Sequence, residues 1–348
     1  MGDTAMAKKQ PPAEQLSLFG EPPEKDSRPK RGSRRVGPAP VSVELRTLAE
    51  RLPCNVRLGT SSWSFPGWEG SVYDRKATTS HLARHGLAAY ARHPLLRAAG
   101  IDRTYYAPIT AREFAAYAEA VPDDFRFLVK AAGKCTDPHV RGERGRASGP
   151  NDLFLEPGFA GAEIVGPYVE GLGPKAGGLL FQFPPLGSEI ASAPERFAEA
   201  LARFLSELPP GPLYAVELRD RDLFGEPYVA ALRATGAVHC YNAHPRMPPV
   251  AEQRRAVGAQ DKLVGRWMLH SGLGYEAAKD RYAPFSSIVD EDPDSRSAFA
   301  DLSLEHIASG SPVIITANNK AEGSAPETLF RLAGMIVELF RERKESES

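Results

Sequence analysis

The chain has 348 residues and a formal charge of −1, from 43 Lys and Arg against 44 Asp and Glu, with 42% hydrophobic residues, 31 Gly and 31 Pro. This ordinary globular balance excludes a globally basic nucleic-acid binder and a membrane protein. Cys54, Cys135 and Cys240 are too few and too scattered for a disulfide framework or a zinc grip, so a cytoplasmic protein is expected.

Residues 1–40 hold seven prolines, eight basic and five acidic residues and almost nothing apolar. Such a segment cannot bury enough surface to offset its ordering entropy, so a disordered basic tail of charge +3 is expected, leaving −4 on residues 41–348. No export signal, lipid anchor or membrane-spanning run is expected.

One apolar cluster interrupts the tail: Gln15, Leu16, Ser17, Leu18 and Phe19. It is too short for a core and suits a linear motif that orders on a partner. The string resembles the pentapeptide by which bacterial DNA polymerases and mismatch-repair factors dock on the DNA sliding clamp. The resemblance implies that Gln15 hydrogen-bonds at the pocket edge while Leu16, Leu18 and Phe19 make the apolar contact. A chance string, or a segment folding back on the rest of the chain, is the alternative. The basic run from Lys25 to Arg35 reads as a solvated linker or as a weak, salt-sensitive contact with DNA phosphates.

From Asn55 onward one unit repeats: a short apolar run, a polar or Gly/Pro break, a helical stretch. The runs are Val56–Gly59, Ile101–Tyr106, Phe125–Lys130, Gly178–Phe183, Leu213–Leu218, Ala237–Tyr241, Leu263–Leu269 and Pro312–Ala317. Helices are expected over 81–99, from Thr110 with a capping box to Glu113, over 159–171, 194–208, 227–235 and 297–309, and from Ser324 with Glu327 three later through Phe340. Residues 249–258 are poorly marked. Alternating strands and helices imply parallel pairing, and eight units in under 300 residues imply an α/β fold, a single (β/α)8 TIM-type barrel.

In such a barrel the site lies at the carboxyl ends of the strands. Those ends carry Ser61 and Trp63, Tyr106, Lys130, Gln182, Glu217 and Arg219, Asn242 and His244, Arg266 and His270, and Asn318 and Asn319. Any strand meets solvent in polar residues, yet eight polar ends together point to a ligand pocket.

The same ends resemble the YecE-like family, known as domain of unknown function 72. The likeness rests on Gly59-Thr60-Ser61-Ser62-Trp63 with Phe65-Pro66-Gly67-Trp68, Thr104-Tyr105-Tyr106, residues 125–131, Phe181-Gln182-Phe183-Pro184-Pro185, Glu217-Leu218-Arg219 and Asn318-Asn319 with Gly323 and Ala325. It implies a TIM-type barrel with a polar pocket and no established reaction. The family's Glu and Asn before the Thr-aromatic-Tyr run are Gly100 and Asp102 here, and its His after Glu-x-Arg is Asp220.

Several chemistries compete at this mouth. Glu217 and Asp220 need not converge as a hydrolytic carboxylate pair. Asp102, Glu217, Asp220, His244 and His270 are few for a metal cluster, and one divalent ion stays open. No nucleophile elbow and no phosphate-binding glycine motif is present, so no cofactor is signalled. Anion recognition fits better: Lys130, Arg219, Arg266 and Lys320, with Arg141, Arg144 and Arg146 on the following loop, suit a phosphate or carboxylate. Lys130, Glu217 and Arg219 are the catalytic candidates, with Glu217 a general base, an orienter of Arg219, or part of a buried ion network. The reading is an enzyme for a phosphorylated or nucleic-acid-related substrate, recruited to the sliding clamp in DNA repair or replication. A non-catalytic adaptor barrel and a metabolic barrel for a small acid or sugar are the alternatives.

Overall fold

The computed structural model of the protein describes residues 35–142 and 147–347. Its barrel strands are β1 (Val56–Thr60), β2 (Leu96–Ile101), β3 (Arg126–Lys130), β6 (Ala176–Phe183), β7 (Tyr214–Leu218), β8 (Val238–Ala243), β9 (Leu263–Trp267) and β10 (Val313–Ala317), while β4 (His139–Arg141) and β5 (Ala147–Pro150) form an antiparallel hairpin after β3. The eight pair in sequence order, all parallel, and β10 closes on β1. The expected (β/α)8 barrel is therefore the observed one.

Alternation along the strands sorts the side chains. In β6, Phe181 and Phe183 face outward and meet Phe204 and Phe197 edge-on, at 5.1 and 5.5 Å. Those two rings lie on the apolar face of helix Pro194–Ser206, with Ala198, Leu201 and Leu205. Inside the barrel, Ala98, Leu128, Leu180, Ala215, Cys240, Val264 and Ile314 form an apolar plug. Two residues further along, six of these strands carry Lys130, Gln182, Glu217, Asn242, Arg266 and Thr316 on the same inner face, all buried. The interior thus turns from apolar to polar within one strand repeat, toward the carboxyl ends.

The second strand departs from expectation. The helix expected over 81–99 comprises Thr79–His85 and Leu87–Tyr90, the strand runs Leu96–Ile101, and Arg103–Tyr105 form a 3-10 turn. Ala98, Ala99 and Gly100 read locally as helix or turn, but the barrel needs small residues here. A Cβ on Gly59 would stand 1.9 Å from the Ala98 carbonyl oxygen, and one on Gly100 2.7 Å from that of Ser61. Close approach of β1 and β2 overrides propensity.

Smaller differences follow the same logic. The segment expected as helix 159–171 starts at Pro157 and contains a π turn, Gly161–Val165, before Gly166–Leu172. The unmarked stretch forms helix Val250–Val257. The Thr110 capping box is present, with Thr110 and Glu113 bonding each other's backbone N–H at 3.2 and 3.0 Å. That expected at Ser324 is replaced: the Ser324 hydroxyl has no partner, and Asn319 Oδ1 accepts from Ala325 N–H at 2.9 Å.

Order begins before residue 41. Ala39 N–H donates to Val72 O at 2.9 Å, Asp74 N–H to Gly37 O at 3.0 Å, and Val36 is buried. The pentapeptide at residues 15–19 lies outside the described residues, as do Arg144 and Arg146. Among the described residues no helix is long and apolar enough to cross a membrane.

Candidate active site at the barrel mouth

The polar layer is organised by Arg266. From β9 its Nη1 donates to Glu217 Oε2 on β7 at 2.7 Å, and its Nη2 to Asp102 Oδ2 after β2 at 2.9 Å. Arg219 Nε donates to the other Glu217 oxygen at 2.8 Å. Burial alone would raise the Glu217 carboxyl, but the guanidinia of Arg266 and Arg219 outweigh it and hold it below its ordinary value. Burial likewise opposes the Arg266 charge, and Asp102 and Glu217 reverse that and raise it. The Arg219 Nη2 is buried and has no hydrogen-bond partner.

Lys130, the last residue of β3, is 1% exposed. Its Nζ stands 3.8 Å from the centre of the Tyr105 ring. That ring in turn lies on Gly133, where a Cβ would come within 2.7 Å of it. Burial pushes the Lys130 ammonium well below its ordinary value, Asp102 opposes, and Arg266 and Arg219 add to the depression.

Above this layer opens a cavity of about 380 Å³. Its lining holds four basic side chains, Lys130, Arg219, Arg246 and Lys320, and no acidic one among the described residues. Tyr105, Tyr106, Gln182, Pro184, Pro185, His244 and Asn318 come from the strand ends, and Met268, Leu269, Leu273, Gly274 and Tyr275 from the loop after β9. Burial and then Arg219 lower His244 to about 3, so its imidazole is neutral near pH 7. Lys320, with Nζ 4.3 Å from the Tyr275 ring centre, is lowered to about 8 by burial and by Lys279.

The structure divides the sequence-expected residues into three groups. Lys130, Arg219, Tyr106, Gln182, His244 and Asn318 line the cavity. Glu217, Arg266, Asn242 and Ser61 lie outside that lining and are buried; Asn318 Nδ2 donates to Ser61 Oγ at 2.9 Å. Glu217 is 0% exposed with both oxygens engaged, which supports its role as orienter within an ion network. Trp63, Asn319 and His270 stand outside that lining and bond elsewhere. Trp63 packs edge-on to Tyr117 at 5.3 Å and donates to Ala83 O. Asn319 Oδ1 accepts from Trp68 Nε1 at 3.1 Å, because the residue after inward-facing Asn318 faces outward. His270 Nδ1 accepts from Gly272 N–H and serves its own turn.

The remaining candidates are similarly placed. Asp220 Oδ2 accepts from Leu186 N–H at 3.1 Å, and Arg141 is held by Asp137 through Nε at 2.6 Å and Nη2 at 3.0 Å. Among the described residues no group of three His, Cys, Asp or Glu is placed to hold a metal. Sequence reasoning missed Arg246, Leu273 and Tyr275. They stand on loops after β8 and β9, and position beyond a strand's carboxyl end was the only available signal. The Gly100 departure has a steric sense, since any side chain there meets the Ser61 carbonyl.

A family model described as "Protein of unknown function DUF72" matches residues 57–347. Among solved structures, a DUF72 family protein from Thermotoga maritima is similar at 19% identity and TM-score 0.51, over 81% of this chain and 98% of that chain. A DUF72 family protein from Enterococcus faecalis V583 follows at 18% and 0.49, over 81% and 95%. A methyltransferase from Methanosarcina mazei shows 12% and 0.37, over 94% and 97%. At 19% identity the likeness to the Thermotoga maritima protein is one of fold. No curated protein matches significantly.

Proposed function

The chain belongs to the DUF72 family of proteins of unknown function, and from that premise we propose that its barrel mouth binds and acts on a small phosphorylated substrate. One observation carries the reading: a cavity whose lining, among the described residues, holds Lys130, Arg219, Arg246 and Lys320 and no acidic side chain. A phosphate offers such cations charge-assisted hydrogen bonds, bidentate to a guanidinium. Glu217 fixes the Arg219 side chain through Nε. Arg246 and Lys320 add charge at the rim, and the tyrosines and prolines offer flat walls for a sugar or base.

The test is calorimetric titration with pyrophosphate, a nucleoside monophosphate and a pentose phosphate. Binding is expected for at least the phosphorylated sugar or nucleotide, with Arg219→Gln weakening it about tenfold or more. Equal binding by Arg219→Gln would overturn the reading. The cavity volume suits a small molecule, or the end of a strand, rather than a duplex.

Recruitment to the sliding clamp through Gln15, Leu16, Ser17, Leu18 and Phe19 belongs to the same proposal. It is supported by three large apolar side chains in an otherwise polar segment. Leu18→Ala with Phe19→Ala should abolish capture by the purified clamp and leave phosphate binding intact. Undiminished capture would remove the clamp from the proposal and favour a barrel working on free metabolites.

A further inference from the structure

Two lysines face the cavity, and their surroundings differ. Lys320 stands on the loop after β10, over the Tyr275 ring. Lys130 is part of the barrel wall, almost fully buried, beneath the Tyr105 ring and beside the Arg266–Glu217–Asp102 lattice. An amine is a nucleophile only when uncharged, and burial beside other cations is what removes a lysine's charge. Both conditions act on Lys130.

We infer that Lys130 captures the carbonyl carbon of a phosphorylated sugar aldehyde as a Schiff base at the floor of the barrel-mouth cavity. The inference rests on the anion-binding reading of the same site. Arg219, Arg246 and Lys320 take the phosphate, which leaves the aldehyde end of a short ligand to meet Lys130.

The Nζ lone pair forms the C–N bond while the carbonyl π pair moves to oxygen. That oxygen takes one proton from the nitrogen and one from solvent and leaves as water. A protonated imine remains, with one hydrogen on nitrogen, and nothing is oxidised or reduced. Its positive charge lies within the field of Asp102, whose charge already acts on Lys130. A tyrosine ring over Nζ limits the water that would hydrolyse the imine.

The same chemistry has two sources, a free sugar phosphate and a deoxyribose phosphate at a nucleic-acid end. The full-length chain is incubated with sodium cyanoborohydride and, in separate arms, with 2-deoxyribose 5-phosphate or with an oligonucleotide bearing a 5′-deoxyribose phosphate. Intact mass and peptide mapping then locate the reduced adduct in the wild-type protein, so the result does not depend on a variant folding.

One equivalent on Lys130, suppressed by pyrophosphate and formed about tenfold faster than on any other lysine, is the expected result, and the arm that reacts identifies the source. Lys320→Gln should slow trapping and leave it on Lys130, while Lys130→Gln should remove it. Two outcomes overturn the inference while leaving anion binding intact: no pyrophosphate-sensitive adduct in either arm although pyrophosphate binds, or an adduct on Lys320 in place of Lys130. Failure of pyrophosphate and both aldehydes to bind would bring down the site reading itself.

Discussion

Two buried glutamates in this molecule are each gripped by arginine, and they behave in opposite ways. Glu217 sits in the barrel mouth between Arg266 and Arg219; Glu322, on the loop after β10, takes Arg296 Nη2 at 2.6 Å and Asp292 N–H at 2.7 Å. Both are 0% exposed. The carboxyl of Glu217 is held below its ordinary value, whereas burial leaves that of Glu322 above it. The difference is the ratio of charges. At the mouth two guanidinia, those of Arg266 and Arg219, bond the single carboxylate of Glu217. On the flank one guanidinium, that of Arg296, is divided between Glu322 and Glu291, and Asp292 adds a like charge beside Glu322. Two guanidinia on one carboxylate outweigh the cost of its burial; one guanidinium divided between two carboxylates does not.

The largest expected effect tests the lattice itself. Arg266→Met strands Glu217 and Asp102, and should cost about 3–5 kcal/mol in chemical denaturation. Arg296→Met should cost less, because Glu291 is half exposed and regains water, and Glu322, whose carboxyl is raised, takes up a proton more readily than Glu217. Equal losses would erase the distinction between the two clusters.

Next comes pH. Because folding depresses the Glu217 carboxyl, the stability it contributes is complete above its ordinary value of 4.5 and is lost as pH falls below it. Glu217→Gln should therefore cost about 1.5–3 kcal/mol near neutrality and flatten the acid limb of a stability profile. Folding raises the Glu322 carboxyl, so its contribution is complete below 4.5 and lost as pH rises above that value. Glu322→Gln should remove a decline with rising pH. Profiles of the two variants that tilt the same way would contradict the charge-ratio account.

Ligand linkage is smaller. Pyrophosphate at ten times its dissociation constant should stabilise the wild-type chain by about 1.4 kcal/mol in thermal melts, and Arg331→Ala equally. Arg219→Gln should show little of this gain. Arg331→Ala by itself should cost under about 1 kcal/mol, since its pair with Glu291 is exposed on both sides.

Much of the candidate site was legible because strands alternate. Lys130, Gln182, Glu217 and Arg219 each sit at or just past a strand end, and parity assigns them to one face. The same parity turns Asn319 outward, to Trp68, and it fails beyond β1, where the chain has left the strand and Trp63 packs on Tyr117. Pairing was not legible at all: Arg266 and Asp102 are 164 positions apart, and only barrel closure brings them together.

By itself, then, the sequence determined the repeating unit, the closed α/β architecture it requires, and the polar character of one barrel end, since these follow from local periodicity and chain length. Tertiary structure decided where β2 begins, because the close approach of Gly59 to Ala98 outweighs helix propensity. It also decided which cations keep an acidic partner and which face the cavity, because charge balance in a buried layer depends on contacts between strands distant in the chain.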